Sequence, residues 1–285
     1  MVNWVIFILL SFIWGSSFML MKEGMVGLSP YQVASIRMLS AGIILVPFAI
    51  RDLKKFPVKK TGLVILSGLL GSFFPAFLFC IAETRIDGSL AGILNALTPL
   101  CTLLLAVFFF KTPIPARKFV GIVIGFLGLC LLFIVRGNIN LSYLSYSGLV
   151  ILATLCYGAN VNLVSKHLKE VGSFQIATYA FTILTIPSLI ILILTGYFSM
   201  PLTSKEVLYA TGASVVLGIF GTAVASILFY VLVKRAGIVF SSMVTYGIPF
   251  VAIFWGLLAH EEITLAQAGC LCIILFGVYI TTKSK

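Results

Sequence analysis

Runs of about twenty apolar residues recur along this chain, separated by short breaks rich in charge, glycine or proline. An α-helix rises 1.5 Å per residue, so about 20 such residues cross a hydrocarbon layer roughly 30 Å thick. The pattern predicts ten transmembrane helices, over residues 3–21, 30–50, 62–82, 88–110, 118–135, 146–165, 173–195, 207–232, 237–259 and 264–281. The first run lacks the basic start and small-residue cleavage site of a signal peptide and is read as a retained helix. The longest breaks, RDLKKFPVKKT and RGNINLSYLS, are too short for a separate soluble domain.

Composition agrees with that pattern. Of 285 residues, 61% are hydrophobic and 9% charged, whereas soluble domains carry about 25% charged residues. With a mean hydropathy of +1.18, a water-soluble globule is excluded. The formal net charge of +11 would suit nucleic acid only if the basic residues shared one exposed face. Here they are spread over short loops, so no nucleic-acid partner is expected. The six cysteines lie inside apolar runs, where they pack as small soft residues rather than form disulfides. Cys270 and Cys272 point to different helix faces, and His167 and His260 are isolated, so neither metal nor cofactor is expected.

The charge distribution sets an orientation, because basic residues are retained on the cytoplasmic side. Counted by alternate loops, fourteen Lys and Arg fall on one side, while Lys22, Arg85, Arg136 and Lys205 fall on the other. Arg37 is the one basic residue assigned inside a span. Both termini are therefore expected in the cytoplasm.

Two offsets relate the halves of the chain. A shift of 143 places Gly15 on Gly158, Gln32 on Gln175 and Ala34 on Ala177. A shift of 150 places Gly68 on Gly218, Gly71 on Gly221, Phe79 on Phe229, Arg85 on Arg235 and Pro99 on Pro249. With five helices per half, equivalent loops must face opposite sides, and their charges do invert. The loop after the second span holds five basic residues, and its counterpart after the seventh holds Lys205 alone. The expected fold is all-α and integral to the membrane, with ten helices in two inverted five-helix repeats, 1–138 and 139–285. Inverted repeats are characteristic of secondary transporters, which rock one part against another around a midplane site.

Several stretches carry a family resemblance: FIWGSSFMLMK in the first span, SLAGILNALTPLCTLLLAVFF in the fourth, VFSSMVTYGIPFVAIFWGLLAHEEIT through the ninth, and AGCLCIILFGVYI in the tenth. Together these resemble EamA-type members of the drug/metabolite transporter superfamily over nearly the full length. The resemblance implies ten helices, cytoplasmic termini and transport of small metabolites, frequently amino acids and often outward. One departure is Lys111-Thr112-Pro113, where the family usually repeats a Gly-Glu. Any role of that acid is therefore expected only at Glu262.

Residues that would bind a solute are those whose polar or aromatic groups fall at matching depth in the two halves. Asn95 and Thr98 share one face of the fourth span, answered by Thr245 and Tyr246 in the ninth. Trp14, Ser17 and Phe18 in the first span match Tyr157 and Asn160 in the sixth. The alternative for each is ordinary packing. Pro99 and Pro249 each remove a backbone donor near mid-span, and Gly71 and Gly221 permit close helix approach, which makes these four the expected kink or gating positions. Arg37 has two readings, a structural ion pair with Glu23 or Glu83, or an anchor for an anionic substrate group. No Asp or Glu falls mid-span, so no carboxylate proton relay is apparent.

The expected function is secondary transport of a small-molecule substrate by alternating access around a central cavity. An exporter of amino acids or related compounds in a bacterial cytoplasmic membrane fits best, as a monomer, with a dimer as the alternative. A lipid-handling or receptor-like protein is the second class. An intramembrane enzyme is disfavoured, since no Ser/His/Asp grouping, mid-membrane carboxylate pair or HExxH motif is present.

Overall fold

The computed structural model of the protein describes residues 2–52, 57–110, 116–135 and 141–283. Lys111, Thr112 and Pro113, and the repeat boundary placed between 138 and 139, lie outside the described residues. Among the described residues every regular element is helical, since in lipid a lone segment must satisfy its own backbone. Eight stretches there are long and apolar enough to cross a bilayer: Val2–Met25, Pro30–Arg51, Val58–Ala82, Gly88–Phe109, Leu144–His167, Ser173–Leu194, Lys205–Gly237 and Phe240–Leu258. The fifth and tenth expected spans fall on shorter apolar stretches, Val123–Leu132 and Leu265–Gly277.

Helix starts follow from local polar chemistry. At the start of α2 (Pro30–Asp52), the Gln32 side chain accepts from the Ser29 backbone N–H at 2.9 Å, and Ser29 Oγ accepts from the Gln32 N–H at 3.3 Å. Thr264 and Gln267 repeat that reciprocal cap before α13 (Leu265–Lys283). At α9 (Ser173–Leu194), Gln175 accepts from the Gly172 N–H at 3.1 Å. Gln32 and Gln175, matched by the 143 offset, thus do the same work in each half.

Four expected spans turn out to be interrupted. The third runs as α3 (Thr61–Gly68), a π-helical turn over Leu69–Phe73, and α4 (Phe74–Ala82). Pro75, one residue into α4, cannot donate to the Gly71 carbonyl four residues back, and the π turn absorbs the mismatch. The eighth expected span repeats this as α10 (Lys205–Val216), a π-helical stretch over Leu217–Val224, and α11 (Ala225–Ser242). The fourth breaks between α5 (Gly88–Asn95) and α6 (Thr98–Phe110), and the ninth between α11 and α12 (Val244–Leu258). Within α11, Gly237 has φ +81°, a backbone state that favours glycine.

Packing makes the two halves reciprocal. A side chain on Gly68 would meet Ala180, and one on Gly218 would meet the carbon of the Arg37 carbonyl, with 37 and 180 separated by the 143 offset. Gly15, on α1 (Val2–Met25), lies against Ile248 and Val251, while Gly158, on α8 (Leu141–His167), lies against Thr102 and Cys101. The centre of the swap is Gly42 of α2 facing Thr185 of α9, positions that the same offset superimposes. Polar side chains such as Gln32, Arg37, Asn95 and Asn160 are buried, while Ile8, Phe108 and Leu194 are exposed. That distribution suits a lipid surround.

Glycines also set the contact of α13 with α7 (Ala116–Val135). A Cβ on Gly277 would stand 2.7 Å from the Gly121 carbonyl oxygen and 2.8 Å from Gly125 Cα, both rigid backbone atoms. Gly277→Val is expected to cost about 1–3 kcal/mol by overpacking and to lower the midpoint of thermal unfolding in detergent. An unchanged midpoint would mean that the two helices separate freely.

Candidate functional site

The π turn at Leu69–Phe73 and the two helix breaks border one cavity, through Gly71, Asn95, Thr98, Ser242 and Thr245, and the space between atoms there is about 750 Å³, its open portion included. Both halves line it.

Its aromatic walls come in equivalent pairs. Phe79 of α4 stacks on Tyr157 of α8, centroids 6.1 Å apart, and Phe229 of α11 meets Trp14 of α1 edge-on at 5.2 Å. The π-helical stretch frees the Gly221 carbonyl, because the Ala225 N–H bonds Phe220 instead. The Trp14 indole N–H donates to that carbonyl at 3.0 Å, fixing the ring.

Polar groups sit between the aromatics. Ser67 donates to Asn160 Oδ1 at 2.6 Å and lies 3.3 Å from the Tyr230 hydroxyl. Gly71 is kept bare by Asn160, since a Cβ there would fall 2.8 Å from the amide carbon. On the other side, Pro99 leaves the Asn95 carbonyl without its helical donor, and the Thr98 hydroxyl donates to it at 2.7 Å. Thr245 likewise donates to the Ser242 carbonyl at 2.8 Å.

Arg37 breaks the pairing of the halves. Buried on α2, it donates through Nε to Thr222 Oγ1 at 2.7 Å and touches Met21 Sδ through Nη1 at 3.8 Å. Among the described residues no carboxylate lies within 4.0 Å of it. The ion pair expected from the sequence is therefore not formed. Glu23 instead accepts from the Tyr209 hydroxyl at 3.0 Å, and neither Glu83 oxygen has a hydrogen-bond partner among the described residues. A buried cation without a paired carboxylate is costly.

Of the residues expected to bind a solute, Trp14, Ser17, Phe18, Arg37, Asn95, Thr98, Tyr157, Asn160 and Thr245 all line this cavity. Tyr246 does not. It lies beyond the lining, its buried hydroxyl without a hydrogen-bond partner among the described residues. Gly71 lines the wall, whereas Pro99, Pro249 and Gly221 stand behind it. Sequence reasoning missed Met21, Phe79, Ser226 and Phe229 as lining residues. The 150 offset had paired Phe79 with Phe229, and a repeated aromatic was the available signal. Tyr230 is also buried in the wall.

Outside the lining, charge ties α1 to the start of α5. Glu261 Oε1 accepts from Lys22 Nζ at 2.9 Å and from the Gly88 N–H at 3.1 Å, and Oε2 accepts from the Ser89 N–H at 3.0 Å. It thereby caps α5 and ties it to α1. Lys22 also lies 4.0 Å from Asp87. Burial alone would raise the Glu261 carboxyl, but hydrogen bonds from Ser89 and Lys22, with the Lys22 charge, outweigh it and hold the group below the ordinary carboxylate range. The acid expected to matter here was Glu262. The structure gives these contacts to Glu261, because His260 adopts φ +58° and turns the chain back over Gly256. Glu262 is exposed.

Comparison with known proteins adds to this geometry. A family model described as the EamA-like transporter family matches residues 2–134 and 144–283. An uncharacterized transporter of Archaeoglobus fulgidus is 25% identical over 292 residues, covering all of both chains. The uncharacterized inner membrane transporter YedA of Escherichia coli K12 is 27% identical over 96% of this chain and 88% of its own. A crystal structure of another protein aligns over 97% of this chain and 94% of that one, with a TM-score of 0.66 at 17% identity, a likeness of fold alone.

Proposed function

We propose, from the premise that the chain belongs to the EamA-like transporter family, that this multi-pass membrane transporter carries small carboxylate-bearing metabolites, amino acids foremost, through its central cavity. The observation that carries this reading is Arg37, a buried guanidinium on the cavity wall with no carboxylate partner among the described residues. A solute carboxylate would take the place of the missing counter-ion, and the guanidinium fork suits that geometry. The aromatic pairs Phe79/Tyr157 and Trp14/Phe229 would enclose its apolar part, and Asn95, Thr98, Asn160 and Thr245 its remaining polar groups.

In this reading ten helices form two inverted repeats, 1–138 and 139–285, with both termini in the cytoplasm of a bacterial cell. The repeats rock about the α2–α9 contact to expose the cavity to either side, as a monomer, and the net direction is export. Pro99, Pro249, Gly71 and Gly221 mark where the helices bend as they do so.

Comparing metabolites inside and outside cells that lack or overproduce the protein tests this. A carboxylate-bearing compound is expected to accumulate outside the overproducing strain. Asn95→Leu should reduce that accumulation about tenfold, the loss expected when a buried polar contact is removed. Unchanged pools in every strain would end the proposal, and bound lipid without solute flux would favour a lipid-handling protein.

A further inference from the structure

Beyond the last turn of α4, one turn past Phe79, stands Glu83. Its side chain is buried, with the residue only 5% exposed, and neither carboxylate oxygen has a hydrogen-bond partner among the described residues. A buried ionised carboxylate in that state would be very costly, whereas its protonated form is far less so. The charged and titratable groups around it come from every side. Lys22 faces it from α1, Arg37 from α2 and Glu261 from the segment before α13, while Cys80 lies one turn back on α4. Asp87 follows on its own connection to α5. A Cβ placed on Gly88 would lie 3.7 Å from Glu261 Oε1 and 3.8 Å from Glu83 Oε2, so one point touches both carboxylates. Lys22 is bonded to only one of them.

We infer that Glu83 is a proton-binding site controlling the tie between α1 and α5: protonated, it leaves Lys22 to Glu261 and the helices stay tied; ionised, it draws Lys22 away and unties them. The proton released passes to water beside the partly exposed Lys22 and Asp87, and no covalent bond changes. Burial pushes the Glu83 carboxyl well above the ordinary range, Lys22 and Arg37 opposing this and Glu261 adding to it. The proton is therefore held at a pH where an exposed glutamate has lost it, and a rise in pH removes it. Two carboxylates beside one lysine are in this way driven in opposite directions.

The control of flux rests on the transport reading, but proton binding does not, so two measurements separate them. The first follows the carboxylic-acid C=O infrared band of the full chain in lipid as pH is raised. A band that disappears with rising pH in the native protein, and is missing from Glu83→Gln at every pH, is the expected result. A spectrum unaffected by that substitution overturns the inference. The amide variant leaves a neutral group where burial favours one, and should unfold at no lower temperature than the native chain.

The second measurement is exchange of radiolabelled amino acids, apolar, aromatic and polar, across proteoliposomes as a function of pH. Native exchange should accelerate about tenfold or more as Glu83 ionises, a change equivalent to one pKa unit of differential interaction. Glu83→Gln should stay at the slow rate throughout, and Glu261→Gln, which cannot hold Lys22 as an ion pair, at the fast rate. Exchange that is independent of pH and equal in the three proteins overturns the control by this tie while leaving transport intact. An infrared band without exchange of any solute overturns the transport reading and leaves the proton site standing.

Discussion

Arg37→Met is expected to reduce exchange of carboxylate-bearing solutes about 100-fold or more, the loss typical of removing one partner from a buried charge pair, without lowering the stability of the protein. The two effects diverge because Arg37 has no carboxylate partner among the described residues, where it donates to Thr222 and makes a weak contact with Met21. Replacing an unpaired buried cation by an apolar side chain of similar length is neutral or stabilising. Arg37→Lys would keep the charge but lose the planar fork, and should recover only part of the exchange. Exchange measured with the thermal midpoint checks both statements. A variant that keeps native exchange, or that fails to fold for want of the guanidinium, would show Arg37 to be structural.

The second large effect is expected at Glu261. Its side chain is 9% exposed and that of Lys22 34%, so the ion pair itself is partly screened and contributes little. The larger loss on Glu261→Ala comes from the Gly88 and Ser89 N–H groups at the start of α5, left without their acceptor. About 2–3 kcal/mol is expected from the lost charge-assisted cap, read as a lower unfolding midpoint in detergent. The pH dependence follows from the lowered carboxyl. The contribution of Glu261 is fully present above the ordinary glutamate pKa of about 4.3 and is lost as pH falls through its lower folded value. Gly256→Val should reproduce part of the defect, since a Cβ at that position would stand 2.6 Å from Glu261 Oε2. Equal midpoints for Glu261→Ala and the native chain at pH 7 would mean that the cap carries no weight.

The sequence made the scaffold legible because two kinds of information were periodic. Apolar runs of membrane length are additive and local, and the 143 and 150 offsets linked residues such as Gly15 with Gly158 and Phe79 with Phe229. The contacts of these residues do recur in pairs, down to Gly42 facing its own equivalent, Thr185. What the runs concealed is where helices break. A π turn at Leu69–Phe73 leaves hydropathy unchanged, and so does the break between Asn95 and Thr98.

The charged cluster was less legible than the cavity for a different reason. Lys22, Glu83 and Glu261 lie far apart in the chain, each at the end of an apolar run where a charge reads as an ordinary helix boundary. Which of Glu261 and Glu262 turns inward depends on a single left-handed residue, His260. Arg37 stood out because a charge inside a span is costly, yet its most economical explanation, an ion pair with a nearby glutamate, was the one the geometry does not form. Tyr246 was placed in the cavity because a polar group in lipid is costly and should face the bundle interior, yet it lies outside the lining.

The central claim is that a solute carboxylate crosses the membrane through this cavity on Arg37. It is tested most directly by exchange of radiolabelled amino acids, apolar, aromatic and polar, into proteoliposomes loaded with the same unlabelled compound. At least one of them should exchange well above empty liposomes with the native protein and fall to that background with Arg37→Met. No exchange above background for any compound, or equal exchange by the two proteins, would contradict it.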